Sequence, residues 1–212
     1  DAAAKGLSVV LCEKDDLAYG TSSYSSKLIH GGLRYLEQYQ FHLVYASLKE
    51  REILMRKSPH LIEPIEFILP HDAHYRPSWL IQLGLIFYDY LYWAKTIPRS
   101  KKLNLNKHSK ENPLKPKYSI GFSYFDCKTD DARLVIANAM AAKKKGAKIL
   151  TRTQYQSAKR QDNHWLIDLH DKTNNQKFTI KSKAIVNAGG PWVSDIIDTT
   201  EVKTDNQVTL VK

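Results

Sequence analysis

Residues 21–37, TSSYSSKLIHGGLRYLE, constrain this chain more than any other stretch. They crowd small hydroxyl residues around a glycine pair, Gly31-Gly32, and add Lys27, His30, Arg34 and Tyr35. Small side chains let a ligand approach the backbone, and hydroxyls satisfy its polar edges. The glycine pair allows a turn that other residues resist, while Arg34 presents a forked donor suited to phosphate or carboxylate. Two readings follow from composition: a serine-rich surface loop before a helix, or a loop that receives an anion or a redox centre.

Upstream, residues 7–12 (LSVVLC) form an apolar, β-branched run bounded by Gly6 and charged residues, the pattern of a buried parallel strand. The run ends in Glu13. An acid at the end of a second strand is what a dinucleotide fold uses to hold a ribose hydroxyl, although acids after strands are also ordinary solvated loop residues. The matching glycine fingerprint belongs about 20 residues upstream of the acid. That count passes residue 1, so the chain is expected to open on the helix after such a loop, near Ala2-Ala3-Ala4-Lys5, without the loop itself.

Downstream, residues 41–57 are rich in helix formers with apolar Leu43, Val44, Leu48, Ile53 and Leu54, and Pro59 and Pro64 end the pattern. Residues 65–69 read as a strand running into Pro70. His71 and His74 lie between prolines, which argues for a polar loop over a metal site. Residues 78–94 (SWLIQLGLIFYDYLYWA) are the most hydrophobic stretch, yet Gln82, Gly84 and Asp89 interrupt it. A membrane span wants about 20 mostly apolar residues. The stretch is favoured as a buried helix; the alternative is an interfacial helix with Trp79, Tyr90, Tyr92 and Trp93 at the headgroups. The Lys/Asn/Pro-rich residues 98–117 read as a loop, part of a basic run (Lys95, Arg99, Lys101, Lys102, Lys107, Lys110, Lys115, Lys117) able to meet anionic lipid. A strand follows Tyr118, and then Thr129 or Asp130 caps a helix that Gly146 ends. Asp126, Asp130 and Asp131 are assigned to capping rather than to paired-carboxylate chemistry. Residues 153–159, 165–170 and 177–180 alternate in polarity and read as an antiparallel meander, with turns at Asp162-Asn163 and Asn174-Asn175. Residues 184–187 read as a further buried strand that enters a helix through Gly189-Gly190-Pro191-Trp192.

Three of these segments carry a resemblance. SSKLIHGGLRYLE is similar to the flavin-contacting segment of the FAD-dependent glycerol-3-phosphate dehydrogenases, DDARLV matches the same family in chain order, and NAGGPWV resembles its NATGPWV-like segment. Gly190 stands where that family commonly has a threonine, which removes a hydroxyl but keeps the close backbone approach. The resemblance covers nearly the whole chain and makes it the N-terminal part of a longer enzyme; alone, the piece is expected to hold FAD weakly or not at all and to be inactive. It implies an α/β fold: a doubly wound, Rossmann-like FAD-binding domain of the D-amino-acid-oxidase-like type, interleaved with an α+β substrate domain. On this view residues 1–60 and 126–200 belong to the FAD-binding part, 61–125 to the substrate side, and 201–212 begin a further substrate-domain segment.

The implied reaction is oxidation of sn-glycerol 3-phosphate to dihydroxyacetone phosphate, the C2 hydride passing to FAD and the electrons to a membrane quinone. By the same resemblance Glu13 holds the adenosine ribose. Thr21, Ser22, Ser25, Lys27 and Leu28 line the pyrophosphate and flavin, and Gly189 and Gly190 approach the cofactor from a second crossing. Arg34 and Tyr35 face the substrate phosphate, and His30 assists removal of the C2 hydroxyl proton or serves as a structural hydrogen-bonder. The implied place is peripheral on the cytoplasmic face of a bacterial inner membrane, or at the mitochondrial inner membrane in a eukaryote.

Charge and cysteine content narrow the partners. A formal net charge of +10 favours anionic ones: a phosphorylated substrate or an anionic membrane surface. The lysines of 98–117 are not interleaved with aromatics as on a strand-binding platform, so nucleic acid is not expected. Cys12 and Cys127 offer neither a disulfide framework nor metal-ligand spacing, and no metal is expected. A homo-oligomer stays open. So do three rivals: an oxygen-using glycerol-3-phosphate oxidase, a flavoprotein acting on an amino or hydroxy acid, and a non-catalytic basic module that binds membrane surfaces.

Overall fold

A computed structural model describes residues 1–72, 74, 76–93, 96–107, 114 and 117–202. In chain order its elements begin with β1 (Val10–Cys12), α1 (Thr21–Tyr24), β2 (Leu28–Ile29), α2 (Phe41–Lys57), β3 (Ile62–Pro70), α3 (Ser78–Leu91) and β4 (Lys101–Asn104). They continue with β5 (Ile120–Thr129), α4 (Asp131–Lys144), β6 (Lys148–Leu150), β7 (Thr153–Gln161), β8 (His164–Asp171), β9 (Gln176–Ser182) and α5 (Val193–Asp198). Single 3-10 stretches occupy Ala3–Lys5, Leu33–Gln38, Leu105–Lys107 and Gly190–Trp192. Contacts group the chain into two units, Asp1–Ser25 with Asp131–Lys212, and Ser26–Asp130. The sequence reading instead divides it near residues 60 and 125.

In the first unit β1 runs parallel to β6, with Val10 opposite Lys148 and Cys12 opposite Leu150. The helix that leads into β6, α4, opens with Asp131 and closes with Lys143 and Lys144, each charge complementing the helix dipole at its end. Gly146, at φ 90°, then turns the chain into β6. The expected meander is present as β7-β8-β9, reversed at Asp162 and Asn175, both in the left-handed region that Asx residues tolerate. Its inward side packs Ala158, Ile167 and Leu169 against Cys12, Leu150, Phe178 and Ile185.

Three expectations for this unit change. The opening helix is one 3-10 turn ended by Gly6 at φ 80°. The strand after it has the expected parallel partner but is not buried: Val10 is 40% and Leu11 42% exposed, because β6 is its one ladder partner among the described residues. Residues 184–187 make no ladder there, and Val186 is 89% exposed; an extended run becomes a strand only by pairing.

In the second unit β5 is the central strand. β3 pairs along one side of it, and β2 and β4 pair along the other, all antiparallel. Pro64 lies inside β3 opposite Cys127 rather than ending α2; an edge strand tolerates proline because one row of its backbone groups has no ladder to join. Phe67 stacks on its cross-strand partner Tyr124 with ring centroids 5.3 Å apart. Residues 98–117, expected to be loop throughout, contain β4, whose pairing with β5 overrides its lysine-rich composition. Lys95, Lys110 and Lys115 of the basic run lie outside the described residues, as do residues 203–212.

α2 matches the expected span residue for residue. With α3 it forms a core of Val44, Leu48 and Tyr88, joined by Leu33, Leu36, Leu91 and Tyr92. α3 is not the buried helix that was favoured. Leu85 and Tyr88 face the core, while Trp79 is 65% and Leu83 55% exposed, because among the described residues one side of the helix packs on the unit and the other stays exposed.

Candidate functional site

The candidate cofactor residues of the first unit begin where the parallel pair ends. Glu13 follows β1, and its N–H donates to the Leu150 carbonyl at 2.8 Å. Its own carbonyl accepts from Thr153 N–H at 2.8 Å, and Oε1 accepts from Asp15 N–H at 3.0 Å. The acid is thus held half-buried beyond the carboxyl end of a parallel strand, where α/β sheets bind ligands. Lys14, next in the chain, places Nζ 4.1 Å from the centroid of the Trp192 ring. The same ring passes 3.6 Å from the position a Cβ on Gly20 would take, immediately before Thr21 opens α1. Trp192 follows Gly189 and Gly190, so the stretch from Lys14 to Gly20 and the distant glycine turn meet at one indole.

The glycine turn is fixed from within. Asn187 Oδ1 accepts from Gly189 N–H at 3.1 Å, and Asn187 Nδ2 donates to the Val193 carbonyl at 2.9 Å. A Cβ on Gly189 would come within 2.5 Å of Ile196 Cδ1. Gly190 is exposed at φ 53° with nothing within 4 Å of an added Cβ, which leaves its backbone open to a ligand. At the far end of α1, the Ser25 hydroxyl donates to Asp131 Oδ2.

The remaining candidates belong to the second unit. Lys27 is held in the left-handed region at φ 59°, and its carbonyl accepts from Thr129 N–H at 2.9 Å. Leu28 opens β2, and His30 and the Gly31-Gly32 turn follow directly. Gly32, at φ 75°, leads into the 3-10 stretch that carries Arg34 and Tyr35. This stretch is a short 3-10 turn, and its Tyr35 N–H is spent on the Gly32 carbonyl at 2.9 Å rather than free for an anion. Leu28, His30, Gly32, Leu33, Arg34, Tyr35, Phe67, Tyr124 and Asp126 line one cavity of about 270 Å³.

Among the residues lining that cavity, Asp126 is the one the sequence pattern placed elsewhere. Asp126 caps no helix; it is buried in the middle of β5. Its Oδ1 accepts from Arg51 Nη1 at 2.6 Å, from the Tyr88 hydroxyl at 2.9 Å and from Gly31 N–H at 3.2 Å. Burial, followed by the Asp126 charge, lifts the Tyr88 hydroxyl far above the usual tyrosine range, so it acts as a neutral donor. A signal for this was present: the buried face of α2 runs Val44, Leu48, Arg51, Glu52, Met55, which puts two charged residues on its apolar stripe. Among the described residues no cluster could hold a metal ion.

Over residues 1–212 the sequence matches the FAD dependent oxidoreductase family. The chain belongs to that family. It is 48% identical over 213 residues to the D-erythritol 1-phosphate dehydrogenase of Brucella abortus, covering 100% of this chain and 42% of that protein. To the glycerol-3-phosphate dehydrogenase of Pseudomonas tolaasii it is 51% identical over 197 residues, 93% of this chain and 38% of that protein. The structure superposes on the glycerol-3-phosphate dehydrogenase of Bacillus halodurans complexed with FAD with a TM-score of 0.68 at 27% identity, covering 94% of this chain and 32% of that one. The chain therefore spans about two-fifths of the length of the curated relatives named here.

The residues present fit the cofactor of this FAD dependent oxidoreductase. A carboxylate at a strand end suits a ribose hydroxyl, an open glycine backbone suits a pyrophosphate, and the hydroxyls of α1 suit its polar edges. Glu13, Thr21, Ser22, Ser25, Gly189 and Gly190 all fall in the first unit, around the Glu13 loop, α1 and the Trp192 turn. Lys27, Leu28, His30, Arg34 and Tyr35 fall in the second, and of these Leu28, His30, Arg34 and Tyr35 share its cavity.

Proposed function

We propose that the protein carrying this chain oxidises a polyol phosphate, sn-glycerol 3-phosphate first, at the carbon next to the phosphate-bearing one. The observation that carries the reading is the cavity where Arg34 and Tyr35 stand beside His30. It joins a forked cation to an imidazole that can accept a proton, as oxidation of a phosphorylated alcohol requires. Bound FAD supplies the hydride acceptor. Around it the side chains have separate tasks. Arg34 neutralises and orients the phosphate, Tyr35 donates to it, and His30 accepts the hydroxyl proton as the C–H bond is broken. Glu13 takes the ribose, Thr21, Ser22, Ser25, Lys27 and Leu28 line the pyrophosphate and flavin, and Gly189 and Gly190 approach the cofactor from a second crossing. In this account residues 1–60 and 126–200 belong to the cofactor part, from which His30, Arg34 and Tyr35 reach the substrate, and 61–125 belong to the substrate side.

A four-carbon substrate is the second reading, favoured by the D-erythritol 1-phosphate dehydrogenase that matches the whole chain at 48% identity. We also propose that the electrons leave to a quinone, with the protein peripheral on an anionic membrane. Its support is the net charge of +10 and the exposed Trp79, Leu83 and Trp93 on and beside α3. No helix among the described residues is long and apolar enough to cross a membrane.

The test is Arg34→Ala in the full-length flavoenzyme. A charge-assisted contact contributes about 1.5–3 kcal/mol, so kcat/KM for glycerol 3-phosphate falls roughly 10- to 150-fold. The loss is much smaller with glycerol, which has no phosphate. Equal losses on both substrates exclude the phosphate role for Arg34.

A further inference from the structure

Three donors from three separate elements meet at one atom of the second unit, Asp126 Oδ1. Arg51 of α2 reaches it at 2.6 Å, Tyr88 of α3 at 2.9 Å, and the Gly31 N–H at 3.2 Å. The carboxylate is 4% exposed, and Arg51 and Tyr88 are 6% and 2% exposed. Such a cluster is costly to build. A buried ion pair is often no more stabilising than an apolar pair of the same volume, so stability alone does not account for it. What the cluster does fix is geometry. Arg51 and Tyr88 hold the carboxylate, and the carboxylate holds the backbone of Gly31.

Gly31 is the hinge between the two groups that matter for chemistry. His30 precedes it, Gly32 turns the chain after it, and Arg34 and Tyr35 follow on the 3-10 stretch. The turn has little room to shift, since a Cβ on Gly31 would lie 2.3 Å from both Leu48 Cδ2 and the Tyr88 hydroxyl. Packing closes one side of the turn and the Asp126 bond fixes its backbone donor. We propose that Asp126, held by Arg51 and Tyr88, is a positioning residue that sets the Gly31 turn so that His30 and Arg34 face one cavity. It touches neither phosphate nor reacting carbon. Its effect on turnover passes through the backbone of the turn, and misplacing a reacting group by about 1 Å can cost about 100-fold in rate. This assignment rests on the polyol-phosphate reading for its activity measurements.

The test uses the full-length flavoenzyme with Asp126→Ala, Asp126→Asn and Tyr88→Phe, with rates expressed per bound flavin. Asp126→Ala is expected to lower kcat/KM for glycerol 3-phosphate about 100-fold, with kcat and KM both affected because His30 and Arg34 move together. Asp126→Asn keeps an oxygen for the Gly31 N–H and is expected to recover about tenfold of that loss; Tyr88→Phe costs about three- to tenfold. Amide hydrogen exchange at residues 31–33 is expected to quicken in the same order. A lower melting temperature with kcat and KM within about twofold of the parent overturns the proposal and leaves Asp126 a folding residue. If Asp126→Ala does not fold, Tyr88→Phe decides by the same readings. If the parent oxidises no polyol phosphate, the functional reading fails separately. Exchange at residues 31–33 then decides: faster in Asp126→Asn and Tyr88→Phe upholds the positioning role, unchanged overturns it.

Discussion

Gly31→Ala is the sharpest structural perturbation available near the cavity. The new methyl would sit 2.3 Å from Leu48 Cδ2, 2.8 Å from Leu48 Cγ and 2.3 Å from the Tyr88 hydroxyl. Leu48 and Tyr88 are each 2% exposed, so neither can swing into solvent to make room. Overpacking of this kind costs about 1–3 kcal/mol. Pushing the Tyr88 hydroxyl from Asp126 removes a hydrogen bond to a charged group, about 1.5–3 kcal/mol more. A total of about 2.5–6 kcal/mol reaches the upper tail for single substitutions. At about 2–4 °C per kcal/mol for about 150–250 residues, and less in the longer full-length protein, the melting temperature should fall by several degrees. Gly146→Ala is the control. At φ 90° with nothing within 4 Å of its Cβ, it costs only the left-handed backbone, about 1–2 kcal/mol. The assay is calorimetric melting of the full-length protein and both variants. Equal shifts for Gly31→Ala and Gly146→Ala would refute the claim that the turn is sterically locked.

Two further outcomes concern ionisable groups away from the proposed chemistry. Burial pushes the Cys127 thiol up to about 11, so native protein at pH 8 should leave Cys127 unalkylated by iodoacetamide while unfolded protein reacts, as read by mass spectrometry. The unfolded thiol ionises first, so this contribution is fully present below the ordinary value of 9.0 and is lost as the pH rises toward about 11. Asp168 accepts hydrogen bonds from Thr179 and Ser157, which hold its carboxyl below the usual range. Asp168→Ala should therefore lower the melting temperature at neutral pH, and the gap to the parent should close as the pH falls through and below the carboxylate range.

Local signals were legible where a segment's own chemistry decides its structure. α2 could be bounded because helix formers run unbroken to Ser58-Pro59, and the meander because Asx turns separate alternating runs. Segments whose state depends on neighbours were not legible. Pro64 suggests an ending until β3 is known to be an edge strand, and residues 101–104 suggest a loop until β5 offers them a ladder. Residues 184–187 have the composition of a strand but lack a ladder among the described residues. For the site, composition singles out His30, Arg34 and Tyr35 because they cluster in sequence with the glycine turn. Asp126 and Tyr88 reach the same turn from 95 and 57 positions away in the chain, through hydrogen bonds that no local pattern encodes. Arg51 was the exception, since its place on the apolar stripe of α2 marks it as a buried charge in need of a partner.

The central claim is tested most directly by anaerobic titration of the full-length, FAD-loaded protein, following the flavin absorbance band. The account predicts that glycerol 3-phosphate or D-erythritol 1-phosphate bleaches the oxidised flavin at near-stoichiometric addition, while glycerol does so only at large excess. A flavin that stays oxidised with both phosphates but is bleached by glycine or L-proline would contradict it, and would place this FAD dependent oxidoreductase among the amino-acid-oxidising flavoproteins.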